Sequence, residues 1–317
     1  MKDFKFSIII PHKNIPDLLQ RCLDSIPQRD DIQIIVVDDN SDPNIVNFSN
    51  FLGEERNNVE IYFDKSGKGA GRARNIGLKH AKGEWILFAD CDDYYITSNL
   101  NALLNQDIPD ECELVVWGIR HQNFNGSIWD DFVDNESGLI KLSDSKEFIR
   151  RFSPWRSMVR SEIINNYNIR FEEIPASNDV MFHTILMTHI NFDNAMWFPS
   201  VVYIWECRKG SITHSLSLPK AISRFRASLR ANRIGLKQKW GIIDNTKYYL
   251  IQLKELSRWQ FYIGFYWEWV YLGWNQAIED YRFVCAEVHD RKMLYLNPFI
   301  FLQSIYKKYF RYSKIDF

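Results

Sequence analysis

No window of this chain holds the roughly 18 consecutive apolar residues that a membrane-spanning helix needs. Nor is there a surplus of charge: 39 Lys+Arg face 40 Asp+Glu, a net charge of −1, so overall charge supplies no pull toward nucleic acid. Cysteine is sparse. Five residues (Cys22, Cys91, Cys112, Cys207 and Cys285) are odd in number, widely spread and free of any CxxC or Cys/His ligand spacing, which argues against a disulfide framework and against a zinc site. The opening Met1-Lys2-Asp3-Phe4 runs straight into a strand-like segment without the regions of a secretory signal, and a reducing cytoplasm is the expected compartment. Internal repeats and low-complexity tracts are missing as well.

What is present is a chain of 317 residues, 46% hydrophobic, enough for a full core in about two domains or one domain with an elaboration. Short apolar runs alternate with helix-like segments through the first 120 residues. Phe6 to Ile10, Ile32 to Val37, Glu60 to Phe63, Glu84 to Ala89 and Glu113 to Gly118 read as strands, several buried on both faces. Leu18, Leu19, Cys22, Leu23 and Ile26 fall on one helix face. Ala70 to Lys82 ends on Lys79, His80 and Lys82 with Gly83 beyond, the pattern of a helix stopped by cations and then glycine. This succession predicts an α/β fold with a mostly parallel central sheet. From about 120 to 215 the alternation loosens, and Asn123 to Gly138 reads as a loop within the same domain. Beyond Pro219, Lys220, Arg224, Arg226, Arg230, Arg233, Lys237 and Lys239 recur at helical spacing, predicting a helical C-terminal region.

Ligands of open α/β sheets bind outside the carboxyl ends of the strands. Each of the first four strands is followed by a polar cluster: Pro11 to Asn14, Asp38 to Asp42, Asp64 to Asn75, and Asp90 to Asp93. All four should gather along one sheet edge. The three carboxylates of Asp90, Asp92 and Asp93 pack like charge so densely that water, hydrogen bonds or a cation must compensate it. A solvated acidic turn is the plain alternative. The glycines at 67, 69 and 71 match neither GxGxxG nor the P-loop spacing. A loop opening a helix, with Arg72, Arg74 and Asn75 in its first turns, suits phosphate or sugar oxygens; an ordinary turn with surface arginines is the other reading.

Taken in order, SIIIPHKN with LLQRCLDSI, IIVVDDNSD, GAGRARNIGL, GEWILFADCDDYY, SPWRSMVRSEIINNYNIRF, NDVMF and RKGSITHS resemble a family 2 glycosyltransferase of the GT-A fold over roughly residues 5 to 215. The resemblance implies an inverting enzyme with a nucleotide-sugar donor, most often a UDP-sugar, acting on a glycan or lipid-linked oligosaccharide of a bacterial surface polymer. It makes 1–215 the catalytic domain, with 1–120 as the nucleotide-sugar-binding half and 121–215 as the acceptor half, and leaves 216–317 as the helical region. Asp90 and Asp92, with His214, would hold Mn²⁺ or Mg²⁺, hard cations that take carboxylate and phosphate oxygens. Pro11, His12, Asn14, Asp39, Arg74, Asn75, Asp90, Arg208 and Ser211 would bind the donor, and Trp155 and Asn178 the acceptor. Asp179 resembles the catalytic base, and an aspartate near its ordinary pKa of about 3.9 is ionised at neutral pH without tuning; read locally, capping a helix is the plain alternative. His12-Lys13 stands where relatives often carry Thr-Tyr, and Asn178 where they carry glutamate.

Past Ser215 the resemblance thins. Trp259 to Trp274 holds nine aromatics in sixteen residues, which reads as core or oligomer packing. Asn297 to Lys314 mixes apolar residues with Lys307, Lys308, Arg311 and Lys314, as an interfacial helix does, so peripheral attachment to the inner face of the plasma membrane is an expectation. Two other functions fit parts of the pattern: a sugar-phosphate nucleotidyltransferase, and an inactive nucleotide-sugar-binding protein.

Overall fold

The fully apolar runs of the sequence become the centre of a sheet. In the computed structural model, which describes residues 4–123, 125–133, 138–142, 148–150, 153–208 and 215–287, β1 (Phe6–His12) and β2 (Ile32–Asp39) are buried along their whole length. Between them α1 (Pro16–Asp24) starts on a proline, whose missing N–H costs nothing in the first turn, and turns Leu19, Cys22 and Leu23 inward. β3 (Val59–Asp64) is the half-buried edge strand. α2 (Ala70–His80) and β4 (Trp85–Phe88) follow.

Lys79 and His80 occupy the last turn of α2 as expected, but the stop itself is not a glycine. Ala81, in extended conformation, ends α2. Gly83 serves a different purpose: a Cβ there would lie 2.5 Å from the Ser7 backbone nitrogen, and its N–H donates to Ser7 Oγ at 2.8 Å. Glycine at 83 thus lets the chain enter β4 pressed against β1.

β5 (Tyr94–Tyr95), α3 (Thr97–Leu104), β6 (Leu114–Gln122), β7 (Ile128–Asp131), β8 (Ile140–Lys141), β9 (Ser157–Arg160), α4 (Ser161–Asn166), α5 (Val180–His189) and β10 (Ala195–Glu206) complete the first unit. One sheet carries the strand order β3-β2-β1-β4-β9-β6-β10-β5, with β7 beside β6 and β8 beside β10. β1 to β4 pair in parallel, as do β6 and β10. β9 lies antiparallel between β4 and β6, so those two strands point the same way. The carboxyl ends of all six parallel strands therefore open on one edge.

Residues 128–131 correct the reading of Asn123 to Gly138 as loop. They pair antiparallel with β6 around a turn in which Asn123 N donates to Ser127 O and Gly126, at φ 82°, donates to Asn123 O. The Asn125-Gly126 pair, a strong hairpin signal, was the available cue. β7 has too little apolar alternation to announce itself.

The chain divides into two compact units, Met1–Ser215 and Leu216–Phe317. Among its described residues the second is helical: α6 (Leu218–Lys237), α7 (Thr246–Leu256), α8 (Arg258–Leu272) and α9 (Trp274–Glu287). Its core joins Phe225, Leu250, Leu253, Phe261, Phe265 and Tyr281, so part of the aromatic-rich segment is core, while Trp259 stays exposed. Buried Asn232 ties α6 to the following turn, accepting from the N–H of Ile243 and Asp244 and donating to Asp244 O. No described helix is long and apolar enough to cross a membrane. Asn297 to Lys314 lies outside the described residues.

Candidate active site

Parallel pairing brings the ends of β1 and β2 together, and a buried network fixes the loops that follow. His12 is buried. Its Nε2 accepts from Ile15 N at 3.3 Å, which leaves Nδ1 to donate to Asp38 Oδ2 at 2.9 Å. Ser41 donates to the same carboxylate from Oγ and N, and its Oγ accepts from Asn14 N. Burial works to raise the Asp38 carboxyl, but the hydrogen bonds from His12 and Ser41 outweigh it and hold it below its ordinary range. Asn14 and Asn40 take left-handed backbone, at φ 58° and 56°, where asparagine is tolerated. The Asn14 side chain accepts from Asp42 N at 2.7 Å. The side chains of His12 and Asn14 are thus spent joining two loops, and Pro11 is buried within β1. Next to this network, Asp39 accepts from Gly69 N at 3.0 Å and from the exposed Lys13 Nζ at 3.2 Å.

After β4, one ligand oxygen from each of Asp90, Asp92 and Asp93 lies within 4.8 Å of the others. Asp93 is 2% exposed and turned into the fold, accepting from Tyr203 Oη at 3.0 Å and Glu206 N at 2.8 Å. Tyr203 Oη also accepts from Asp90 N at 2.9 Å, so one phenol from β10 sets the turn. Asp90 and Asp92 face outward with side chains 30% and 22% exposed. Arg74 pairs with Asp90, and Arg208 Nε donates to Asp92 at 2.8 Å. Arg21, on α1, donates to Asp92 O and to Glu206. Burial and the neighbouring Asp90 push the Asp92 and Asp93 carboxyls up. Tyr203→Phe removes a hydroxyl that serves the Asp90 N–H and the buried Asp93 carboxylate, with an expected loss of about 1–3 kcal/mol, measurable by urea unfolding; an unchanged midpoint would contradict this role.

The segment GAGRARN has a role that its spacing did not reveal. Gly71, Arg74 and Asn75, one helical face apart, clamp the chain that leads to Asp179. Asn75 donates to Phe171 O and accepts from Phe171 N, both at 2.8 Å. Arg74 donates to Asn178 Oδ1 at 2.9 Å while holding Asp90. A Cβ on Gly71 would sit 2.1 Å from Glu172 O. Arg72 binds Asp64 and reaches Glu173. In this structure all three side chains expected at phosphate or sugar oxygens contact protein instead, because the helix face that carries them packs on residues 171–178.

Asp179 stands at the N-cap position of α5, yet its side chain makes no capping bond, so the local capping reading does not consume it. Burial pushes its carboxyl up to about 6, Arg74 pulls it down, and Asp90 adds to the rise. The expectation of an untuned aspartate is therefore corrected. Asn178 stays beside it through Arg74. Trp155, expected to floor the acceptor site, is buried and stacked on Tyr203 at 5.0 Å and 10°; it backs the tyrosine that sets the acidic turn. Ser211 and His214 lie outside the described residues. Sequence reasoning missed Tyr203, Arg21 and the packing role of Gly71. A tyrosine in a long apolar strand and an arginine in an amphipathic helix carry no local signal.

Residues 7–161 match the family model described as "Glycosyl transferase family 2". A poly(ribitol-phosphate) beta-glucosyltransferase of Bacillus spizizenii is 30% identical over 184 residues, 56% of this chain and 28% of the relative. The glycosyltransferase GlyA of Streptococcus pneumoniae is 22% identical over 227 residues, 67% of this chain and 32% of the relative. The chain thus spans less than a third of either protein. Among solved structures, Staphylococcus aureus TarS 1-349 in complex with UDP-GlcNAc superposes with a TM-score of 0.61 at 20% identity, covering 80% of this chain and 71% of that one. With strand order, acidic turn and family match in agreement, residues 7–161 belong to glycosyl transferase family 2, and the first unit has the GT-A fold.

Proposed function

We propose that the chain is a metal-dependent, inverting glycosyltransferase that moves a sugar from a nucleotide-diphosphate donor, read as a UDP-sugar, to a hydroxyl of a glycan or lipid-linked acceptor in bacterial surface polysaccharide synthesis. The observation that carries the proposal is the linkage of Asp179 to the acidic turn: Arg74 bonds Asp90 on one side and Asn178 on the other. A carboxylate left free of capping is thereby held beside the place where a diphosphate would sit.

The acidic turn fits a divalent cation. Asp90 and Asp92 offer hard oxygen donors at the surface, and burial together with the crowding of like charge pushes the Asp92 and Asp93 carboxyls up, a crowding that a bound cation would relieve. When bound, Mn²⁺ or Mg²⁺ would neutralise the departing diphosphate as a Lewis acid. His214 and Ser211 belong to the same proposal. Asp39, with Lys13 next to it, would receive the base edge, and Arg208 would turn its guanidinium to phosphate. Asp179 would take the proton from the acceptor hydroxyl as oxygen attacks the anomeric carbon on the face opposite the leaving group, which inverts the centre. The UDP-GlcNAc complex of TarS supports a UDP-sugar donor, and the names of the relatives support a surface-polymer acceptor.

Incubation with UDP- and GDP-sugars, Mn²⁺ and glycan acceptors is expected to release nucleoside diphosphate. Pyrophosphate release from a nucleoside triphosphate and a sugar phosphate would indicate a nucleotidyltransferase instead. For the tail, deletion of 297–317 is expected to abolish sedimentation with anionic liposomes; equal sedimentation with and without it would remove the peripheral-membrane proposal.

A further inference from the structure

β10 runs parallel to β6 and sets Trp205 against His121, while β7 runs back along β6 and sets Trp129 against the same His121. Paired residues project to the same face of a sheet. Three rings from three adjacent strands therefore share one rung. The His121 and Trp129 rings are stacked, 4.7 Å apart at 5°, and Trp205 meets His121 at 5.6 Å. Asp131, two residues on from Trp129 and so on the same face, lies 3.2 Å from His121 Nε2 and 3.0 Å from Arg156 Nη2. The inner end of the rung adjoins the acidic turn, because Glu206, next to Trp205, donates its N–H to Asp93. At the outer end Trp129 is 46% exposed with one ring face resting on His121, so its other face is the open one.

A flat indole held in register, its back braced by His121, which Asp131 and Arg156 fix in place, matches a pyranose: the C–H face of the sugar lies on the open ring and its hydroxyl rim stays toward water. A bilayer is the poorer match. Asp130 and Asp131 are both acidic, and Arg120 is already bound by Asp130 through two hydrogen bonds, so this hairpin offers no unmatched cation to anionic lipid.

The geometry points to a sugar-binding subsite in which the open face of Trp129, braced from behind by His121 and Trp205, holds a pyranose ring of the acceptor, at least one residue removed from the hydroxyl that receives the new sugar. The inference rests on the glycosyl-transfer reading and narrows its acceptor to an oligosaccharide with a ring to stack, as opposed to an acyclic polyol phosphate.

The test uses the full chain with a panel of UDP-sugars and Mn²⁺, following nucleotide release with p-nitrophenyl monosaccharides and the matching p-nitrophenyl disaccharides as acceptors. The wild type is expected to show a KM about tenfold lower for two-ring acceptors than for one-ring acceptors. Trp129→Ala is expected to erase that ratio, and Trp129→Phe, which keeps a ring, to retain most of it, with donor KM measured alongside. A wild type without preference for the second ring overturns the inference, as does a ratio that survives in Trp129→Ala. Loss of liposome binding in Trp129→Ala with the ratio intact also overturns it, in favour of a membrane contact. Absence of nucleotide release from every donor removes the glycosyl-transfer reading and this inference together.

Discussion

Asp179→Asn is expected to lower sugar transfer by about 10²–10⁴-fold, the usual contribution of a general base, while the protein stays folded. The amide keeps the shape of the side chain but cannot accept a proton from the acceptor. Burial already holds the Asp179 carboxyl at about 6, above its value in an unfolded chain. The fold therefore disfavours the ionised form, and the neutral substitution removes that cost at pH 7. The thermal midpoint of Asp179→Asn should equal or exceed that of the wild type. A variant that loses activity through lost stability would refute the assignment. The same shift sets a pH dependence: the base works only when ionised, so wild-type transfer should be flat above neutrality and fall about tenfold per unit below pH 6. A rate that keeps rising as pH drops through 6 would show that another group takes the proton.

Gly71→Ala is the second large expected effect. The new Cβ would lie 2.1 Å from Glu172 O and 3.0 Å from the Asn178 Cβ. The oxygen is backbone, and Glu172 N donates to Asn178 O, so the loop cannot yield at one atom. It must shift as a unit, carrying Asn178 and Asp179 with it. Crowding of this kind costs about 1–3 kcal/mol, and a displacement of about 1 Å at a catalytic group can cost 10²-fold in rate. Both losses should appear together in urea unfolding and in nucleotide release. Lys79→Ala, at an exposed position on the same helix, serves as the control. Wild-type behaviour of Gly71→Ala would mean that α2 does not position the base.

The parallel strands were legible because a strand buried on both faces must be apolar throughout, as β1 and β2 are. The gathering of Asp39, Asp90 and Asp92 at one edge followed from strand direction alone. Partners contributed from far along the chain were not legible. β9 inserts antiparallel between β4 and β6, and nothing in four residues specifies so distant a pairing. Arg74 and Asn75 suit ligand contacts on sequence alone, because an arginine and an asparagine in the first turns of a helix look the same whether they meet phosphate or a neighbouring loop. Trp155, which the sequence offers as a platform, is buried, while the open indole, Trp129, sits in a segment whose pattern suggests a loop. Side-chain type told which chemistry was available; only packing decided which groups remained open to a ligand.

In the proposed mechanism Asp90 and Asp92 hold a divalent cation for the departing diphosphate. Its most direct test is nucleoside diphosphate release by protein stripped with EDTA and then titrated with Mn²⁺. A fall of about 10²-fold or more is expected on stripping, with recovery on adding Mn²⁺ and no recovery in Asp92→Asn. Release that continues undiminished in EDTA would contradict this mechanism.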